Sequence, residues 1–185
     1  MEKVKRLVLV IDDEKALCES ISDYLEDMGY SSAKAFSGEE GLKTAETIKP
    51  DAVITDLNMP GIGGLELVKI FSEKSPQMPV IILSGAGLLE KAIQAMRNGA
   101  WDYLSKPLES FSLLELCLNR CFERARLLTE NINYQKNLEI QVQKKTEQIL
   151  RLNQGIIDTQ KEIILKMRSE EHTSELQSRI TISYA

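Results

Sequence analysis

Asp12 and Asp13, Asp56, Ser84 and Lys106 each stand at or just past the end of a short apolar run. Leu7 to Ile11 leads into the first two aspartates and Ala52 to Thr55 into Asp56. Val80 to Leu83 leads into Ser84, and Trp101 to Leu104 is followed by Ser105, Lys106 and Pro107. Carboxylates, a hydroxyl and an ammonium gathered at one edge would handle an anion, with a divalent cation to offset the clustered negative charge. The gathering itself follows from the runs. Stretches of four or five β-formers separated by helical stretches predict parallel strands. An open α/β sheet binds its ligands beyond the carboxyl ends of its strands.

Between the runs, apolar residues recur at helical spacing. Leu17, Ile21, Tyr24, Leu25 and Met28 predict a first helix that stops at Gly29. Ser37 and Glu40 form a capping-box pattern for a second, with Leu42, Ala45 and Ile48 inward and Pro50 ending it. Leu65, Val68 and Phe71 mark a third, and Ala92, Ile93 and Met96 a fourth that ends at Gly99. Strand 2, residues 31–36, is the least apolar and contributes no candidate site residue. Short links between such units require right-handed crossovers with helices on both faces, a doubly wound α/β fold.

The ordered set Asp12-Asp13, Asp56-Leu57-Asn58-Met59-Pro60-Gly61, Ser84-Gly85 and Gly99-Ala100 through Lys106-Pro107 resembles the receiver domain of two-component response regulators. The resemblance covers about residues 4–125, and a receiver domain is drawn over 1–125. It implies a flavodoxin-like five-stranded parallel sheet of order 2-1-3-4-5, which would make strand 2 an edge. It also implies that Asp56 accepts a phosphoryl group from the phosphohistidine of a sensor histidine kinase or phosphotransfer protein. Mg²⁺ would be bound by Asp13, Asp56 and the backbone carbonyl of Asn58, with Asp12 acting through water. A carboxylate and a phosphoryl group repel one another, and the cation removes that repulsion. Lys106 would pair with a phosphoryl oxygen, its peptide bond to Pro107 being usually cis in the family. Ser84 would donate a hydrogen bond, and Tyr103 would be the switch aromatic. Trp101 departs from the small or acidic residue common at its position and is expected partly exposed, on the partner face.

Each residue also has a plainer role. Asp12 and Asp13 could cap the first helix, Asp56 could open a turn, Tyr103 could be core and Lys106 a surface lysine. A phosphatase of the haloacid-dehalogenase type would need a second carboxylate two residues after its nucleophile, where Asn58 stands. A nucleotide-binding fold is disfavoured because Asp12-Asp13-Glu14 replaces a glycine-rich loop after strand 1. A phosphorylation-independent coiled-coil adaptor is the rival of a different class, opposed by the complete acidic set with Ser84 and Lys106.

From Leu108 onward the alternation stops and no proline follows. Apolar residues recur every seventh position at Leu114, Cys121, Leu128, Val142, Ile149, Ile156 and Ile163, broken only at Gln135. Companions Leu118, Ala125 and Ile132 give way to Leu138 and Leu152, a stutter near 132–138, and Gly155 is a weak point in the helix. This pattern predicts a coiled coil that makes a homodimer, the linker and dimerisation helix being residues 126–167. Residues 156–164 resemble the helix that leads into HD-GYP cyclic-di-GMP phosphodiesterase domains. The chain holds none of such a domain's metal ligands, so no phosphodiesterase activity is expected of it. Residues 168–178 resemble the in-frame translation of a common sequencing-library adapter, and Ile182 to Ala185 match its next constant stretch. Residues 168–185, including the single His172, are therefore read as an artefact, with the natural gene continuing past residue 167.

The 185 residues, 43% hydrophobic and 28% charged, suit one globular domain plus an extension. A net charge of −5 argues against nucleic acid as a direct partner. The first apolar run is too short for a signal peptide or a membrane span, so a cytoplasmic protein is expected. Three cysteines, Cys18, Cys117 and Cys121, are too few for a disulfide scaffold. Cys117 and Cys121 lie one helical turn apart, but with no histidine nearby they read as buried thiols rather than a zinc site.

Overall fold

The computed structural model describes residues 5–85, 87–108 and 110–183, but not the side chains of Leu89 and of residues 170–183. Most of the tail read as adapter sequence, His172 included, therefore lies outside the described side chains. Five strands form one parallel sheet: β1 (Leu7–Ile11), β2 (Ser31–Ala35), β3 (Ala52–Asp56), β4 (Val80–Ser84) and β5 (Asp102–Ser105). Their order is β2-β1-β3-β4-β5, as expected. The helices are α1 (Lys15–Asp27), α2 (Gly38–Ile48), α3 (Gly64–Lys74), α4 (Leu89–Arg97) and α5 (Phe111–Ser183).

Strands buried on both faces need continuous apolar runs, and β3 and β4 are buried at every residue. Edge strands β2 and β5 are buried only in part. Alternation sends Val8, Val10, Ile54, Ile81 and Leu83 to one face, under α1 and the first turns of α5. Leu9, Ile11, Val53, Val80 and Ile82 go to the other, under α2, α3 and α4. Each fully buried Leu or Ile contributes roughly 1.5–3 kcal/mol, so these two layers dominate the stability of the domain.

Local signals set the helix ends. Ser37 Oγ accepts the backbone N–H of Glu40 at 3.2 Å, while Glu40 reaches back to the N–H of Phe36 at 2.7 Å. That is the capping box displaced by one residue, since the reciprocal bond goes to Phe36 rather than to Ser37 itself. α1 ends before Gly29, which takes φ +85°, a conformation costly for any residue with a Cβ. The Lys106–Pro107 bond is cis.

In α4 the buried residues are Ala92 and Ala95, whereas Ile93 and Met96 are 45% and 38% exposed. Small residues let this helix lie close to the sheet, and its larger apolar side chains face outward. The expected seam is corrected at its start: Leu114, Cys121 and their companion Leu118 are buried in the domain core and are not free to form it. An amphipathic helix covering a sheet and a coiled-coil strand carry nearly the same period, 3.6 against 3.5, so the first turns of α5 resembled the beginning of the heptads. Leu128 is the first residue of that spine to be exposed.

The chain divides into two units, residues 1–131 and residues 132–185. In the second, which is helical, Leu138, Val142, Ile149, Leu152, Ile156 and Ile163 are all exposed. Among the described residues, no helix is long and apolar enough to cross a membrane.

Candidate functional site

The register of the sheet brings the polar residues level with one another. Ile11 pairs with Thr55, so Asp12 and Asp56 each follow one residue later on adjacent strands. Asp56 pairs with Leu83, which puts Ser84 one residue further along β4, and Ser84 pairs with Ser105, the neighbour of Lys106. The backbone N–H of Lys106 donates to the carbonyl of Ser84 at 2.7 Å and carries the lysine past the end of β5, over the edge of the sheet.

There Lys106 Nζ stands 2.7 Å from Asp12 Oδ2 and 2.7 Å from Asp56 Oδ1. Asp12 is fully buried, and Asp56 and Ser84 nearly so. Burial pushes the Asp12 carboxyl above its ordinary range, against the hydrogen bond and charge of Lys106 and the N–H of Glu14. Burial also works to lower the Lys106 ammonium, but its bonds to Asp12 and Asp56 and their charges outweigh it, and the group is held above its usual value. Lys106 is thus a fixed cation lodged between two carboxylates.

Backbone donors hold the remaining oxygens. Asp12 Oδ1 accepts from the N–H of Glu14 at 2.9 Å, so Asp12 fixes the chain entering α1 without being its N-cap residue, which is Glu14. Asp56 Oδ2 accepts from the N–H of Asn58 at 2.8 Å. Asn58 is exposed and its side-chain Oδ1 accepts from Lys91 Nζ of α4 at 2.9 Å. Asp13 is exposed beside Asp12. Among the described residues, the Ser84 hydroxyl makes only a 3.4 Å contact with the carbonyl of Gly85. Tyr103 points outward, 44% exposed, and Trp101 is half-buried beneath the guanidinium of Arg124, 4.6 Å above its ring.

The structure therefore joins Asp12, Asp56, Asn58 and Lys106 directly, with Ser84 at the next position and Asp13 at the rim. Two further residues lacked a readable signal. Lys91 meets Asn58 across 33 positions of sequence. Gly64 is forced by close approach, since a Cβ there would strike the carbonyl oxygen of Asp56 and lie 2.9 Å from the Cα of Leu57. A second glycine after Pro-Gly was the only hint of it. The donor set around Asp56 is all oxygen, the kind Mg²⁺ prefers over nitrogen or sulfur. A cation, Lys106, already lies between two of its carboxylates, so the residues fit a divalent ion.

A doubly wound sheet of order β2-β1-β3-β4-β5, with an acidic cluster and a lysine at its carboxyl edge, defines the CheY-like class. The model of the response regulator receiver domain matches residues 8–117, and the chain belongs to that family of two-component proteins. It is 37% identical over 142 residues to a putative response regulator NtrX-like of Rickettsia felis, covering 76% of this chain and 29% of the relative. It is 38% identical over 109 residues to the response regulator protein FleR of Pseudomonas aeruginosa, covering 59% of this chain and 23% of that one. The chain thus spans under a third of the length of these relatives. Among solved structures, a response regulator receiver domain protein from Clostridium thermocellum superposes with a TM-score of 0.64 at 38% identity, covering 66% of this chain and 98% of that one. NtrX from Brucella abortus, in complex with ADP, superposes with a TM-score of 0.65 at 30% identity, covering 69% of this chain and 29% of that one.

Proposed function

We infer that this receiver takes a phosphoryl group onto Asp56 from the phosphohistidine of a sensor kinase or phosphotransfer protein. The observation that carries the reading is Lys106 Nζ, equidistant from Asp12 and Asp56 at the carboxyl edge of the sheet. Mg²⁺, held by Asp13, Asp56 and the backbone carbonyl of Asn58 with Asp12 through water, would neutralise charge on the phosphoryl group and orient it. A carboxylate oxygen of Asp56 forms the new bond to phosphorus as the bond from phosphorus to the histidine nitrogen breaks. The histidine keeps that electron pair. Lys106 follows the charge, exchanging a carboxylate oxygen for a phosphoryl oxygen. Ser84, whose hydroxyl makes a weak contact with the carbonyl of Gly85, is one residue beyond the level of Asp56 and donates to the phosphoryl group.

These new contacts favour one of two states of the surface built from α4, β5 and α5, in which Ser84 moves toward Asp56 and Tyr103 turns inward. Trp101 begins that segment, so its fluorescence reports the change. The receiver then spans 1–125 and the linker 126–167, with 168–185 adapter-derived. The exposed apolar residues from Leu128 to Ile163 then form the seam of a parallel homodimer in the cytoplasm, with neither nucleic acid nor membrane as a direct partner. The seam would relay the change to an output module, for which the helix over 156–164 suggests the cyclic-di-GMP phosphodiesterase class.

Incubation with acetyl phosphate and Mg²⁺ tests the chemistry. The protein should acquire a base-labile adduct, and beryllofluoride should change the Trp101 emission. Labelling of Asp56→Asn at the wild-type rate would show that the nucleophile is another residue.

A further inference from the structure

On the face of the sheet covered by α5, a second cluster joins residues that the sequence separates. Cys117 and Cys121, one turn apart on α5, direct their sulfurs to one side, and Asp102, the first residue of β5, meets them there. The two sulfurs and a carboxylate oxygen of Asp102 all lie within 4.8 Å of one another. We propose that Cys117, Cys121 and Asp102 bind a thiophilic divalent cation of the zinc class. The proposal rests on the fold alone and is independent of the role of Asp56.

Three arguments support it. Zinc takes sulfur at about 2.3 Å and carboxylate oxygen at about 2.0–2.2 Å in tetrahedral array, which sets its ligands roughly 3.3–3.8 Å apart. From within 4.8 Å, the cluster needs to contract by at most about 1.0–1.5 Å to reach that spacing. Access is asymmetric. Cys117 and Cys121 are buried, whereas the Asp102 side chain is 22% exposed, giving a cation an approach from that side and leaving the fourth position to water. The carboxylate is also held in place and can be freed. Its Oδ1 accepts the N–H of Tyr103 at 2.9 Å, while its Oδ2 pairs with Arg120, a mostly exposed side chain whose tie is weak.

Without a cation, the Asp102 carboxylate offers the pair no more than a weak hydrogen bond from the Cys117 thiol. For a soft cation, by contrast, two sulfurs and one oxygen make a complete three-ligand set. Sulfur also separates this site from the acidic edge, because Mg²⁺ selects oxygen alone. Binding releases the protons of both thiols to solvent and leaves each sulfur as a thiolate ligand. Its consequence would be a tie between α5 and the start of β5, next to Tyr103 and Trp101.

The full chain, reduced and metal-free, is titrated with Cd²⁺ in excess Mg²⁺, following the ultraviolet thiolate-to-cadmium charge-transfer band and the protons released. One equivalent should saturate the band with about two protons released, and Zn²⁺ should abolish it by competition. Cys117→Ser with Cys121→Ser should remove the band. Because those residues are buried, Asp102→Asn at a partly exposed position gives a second variant, expected to weaken binding at least tenfold. No band at equimolar Cd²⁺, a band that survives loss of both cysteines, or unchanged affinity in Asp102→Asn would overturn the site.

Discussion

Replacing Lys106 by methionine removes the ammonium while keeping most of the aliphatic stem. In the native protein Nζ lies 2.7 Å from oxygens of both Asp12 and Asp56, and the lysine side chain is 19% exposed. Removing one partner of a buried pair costs about 3–5 kcal/mol, because the remaining charge is left without compensation. Two effects reduce the loss here. Asp12 can take up a proton, since burial already pushes its carboxyl upward, and Asp56 lies close enough to the edge to draw on water. A loss of about 2–3 kcal/mol at neutral pH is therefore expected, read as a lower urea midpoint at unchanged slope. Mg²⁺ should restore part of it. Two carboxylates without their lysine attract a divalent ion more strongly, and a ligand present at a hundred times its Kd stabilises the native state by roughly 2.7 kcal/mol. The increment from Mg²⁺ should thus be larger in Lys106→Met than in wild type. A variant within about 0.5 kcal/mol of wild type, or equal increments in both proteins, would refute the account of Lys106 as the cation that balances the pair.

Gly64→Ala should destabilise the receiver by about 2–4 kcal/mol in urea titrations and slow labelling by acetyl phosphate, because its methyl group collides with backbone at Asp56 and Leu57 rather than with a movable side chain. Burial pushes the Cys18 thiol from 9.0 up to about 11, so its neutral form favours the fold. That contribution is complete below the ordinary thiol pKa and is lost as pH rises through 9 toward 11, up to roughly 2–3 kcal/mol, and the difference between wild-type and Cys18→Ala stability curves should fall across that window. Ile149→Asp with Ile156→Asp should turn a dimer seen by sedimentation equilibrium on residues 1–167 into a monomer without affecting Asp56 labelling. A wild-type monomer at tens of micromolar would remove the seam altogether.

The sequence alone determined the strands, their order through the resemblance, and the set of polar residues past their ends. Strands buried on both faces must be written as apolar runs, and the residue ending a run is placed by the chain itself. It also marked the capping box at Ser37 and Glu40, because both partners lie within one turn. Which residues meet across the sheet was left to the tertiary structure. Lys106 lies 94 positions from Asp12, and only the register of four strands brings the two together. Nothing local distinguishes the outward Ile93 and Met96 from the inward Ala92 and Ala95, since the stripe an α-helix buries depends on what it is packed against. For the same reason Leu114, Leu118 and Cys121 resembled a dimer seam until the sheet claimed them as core. Asp102 beside Cys117 and Cys121 is the sharpest case. The two thiols were visible as an i, i+4 pair on a helix, but the carboxylate comes from a neighbouring strand, and a spacing rule reads only along the chain.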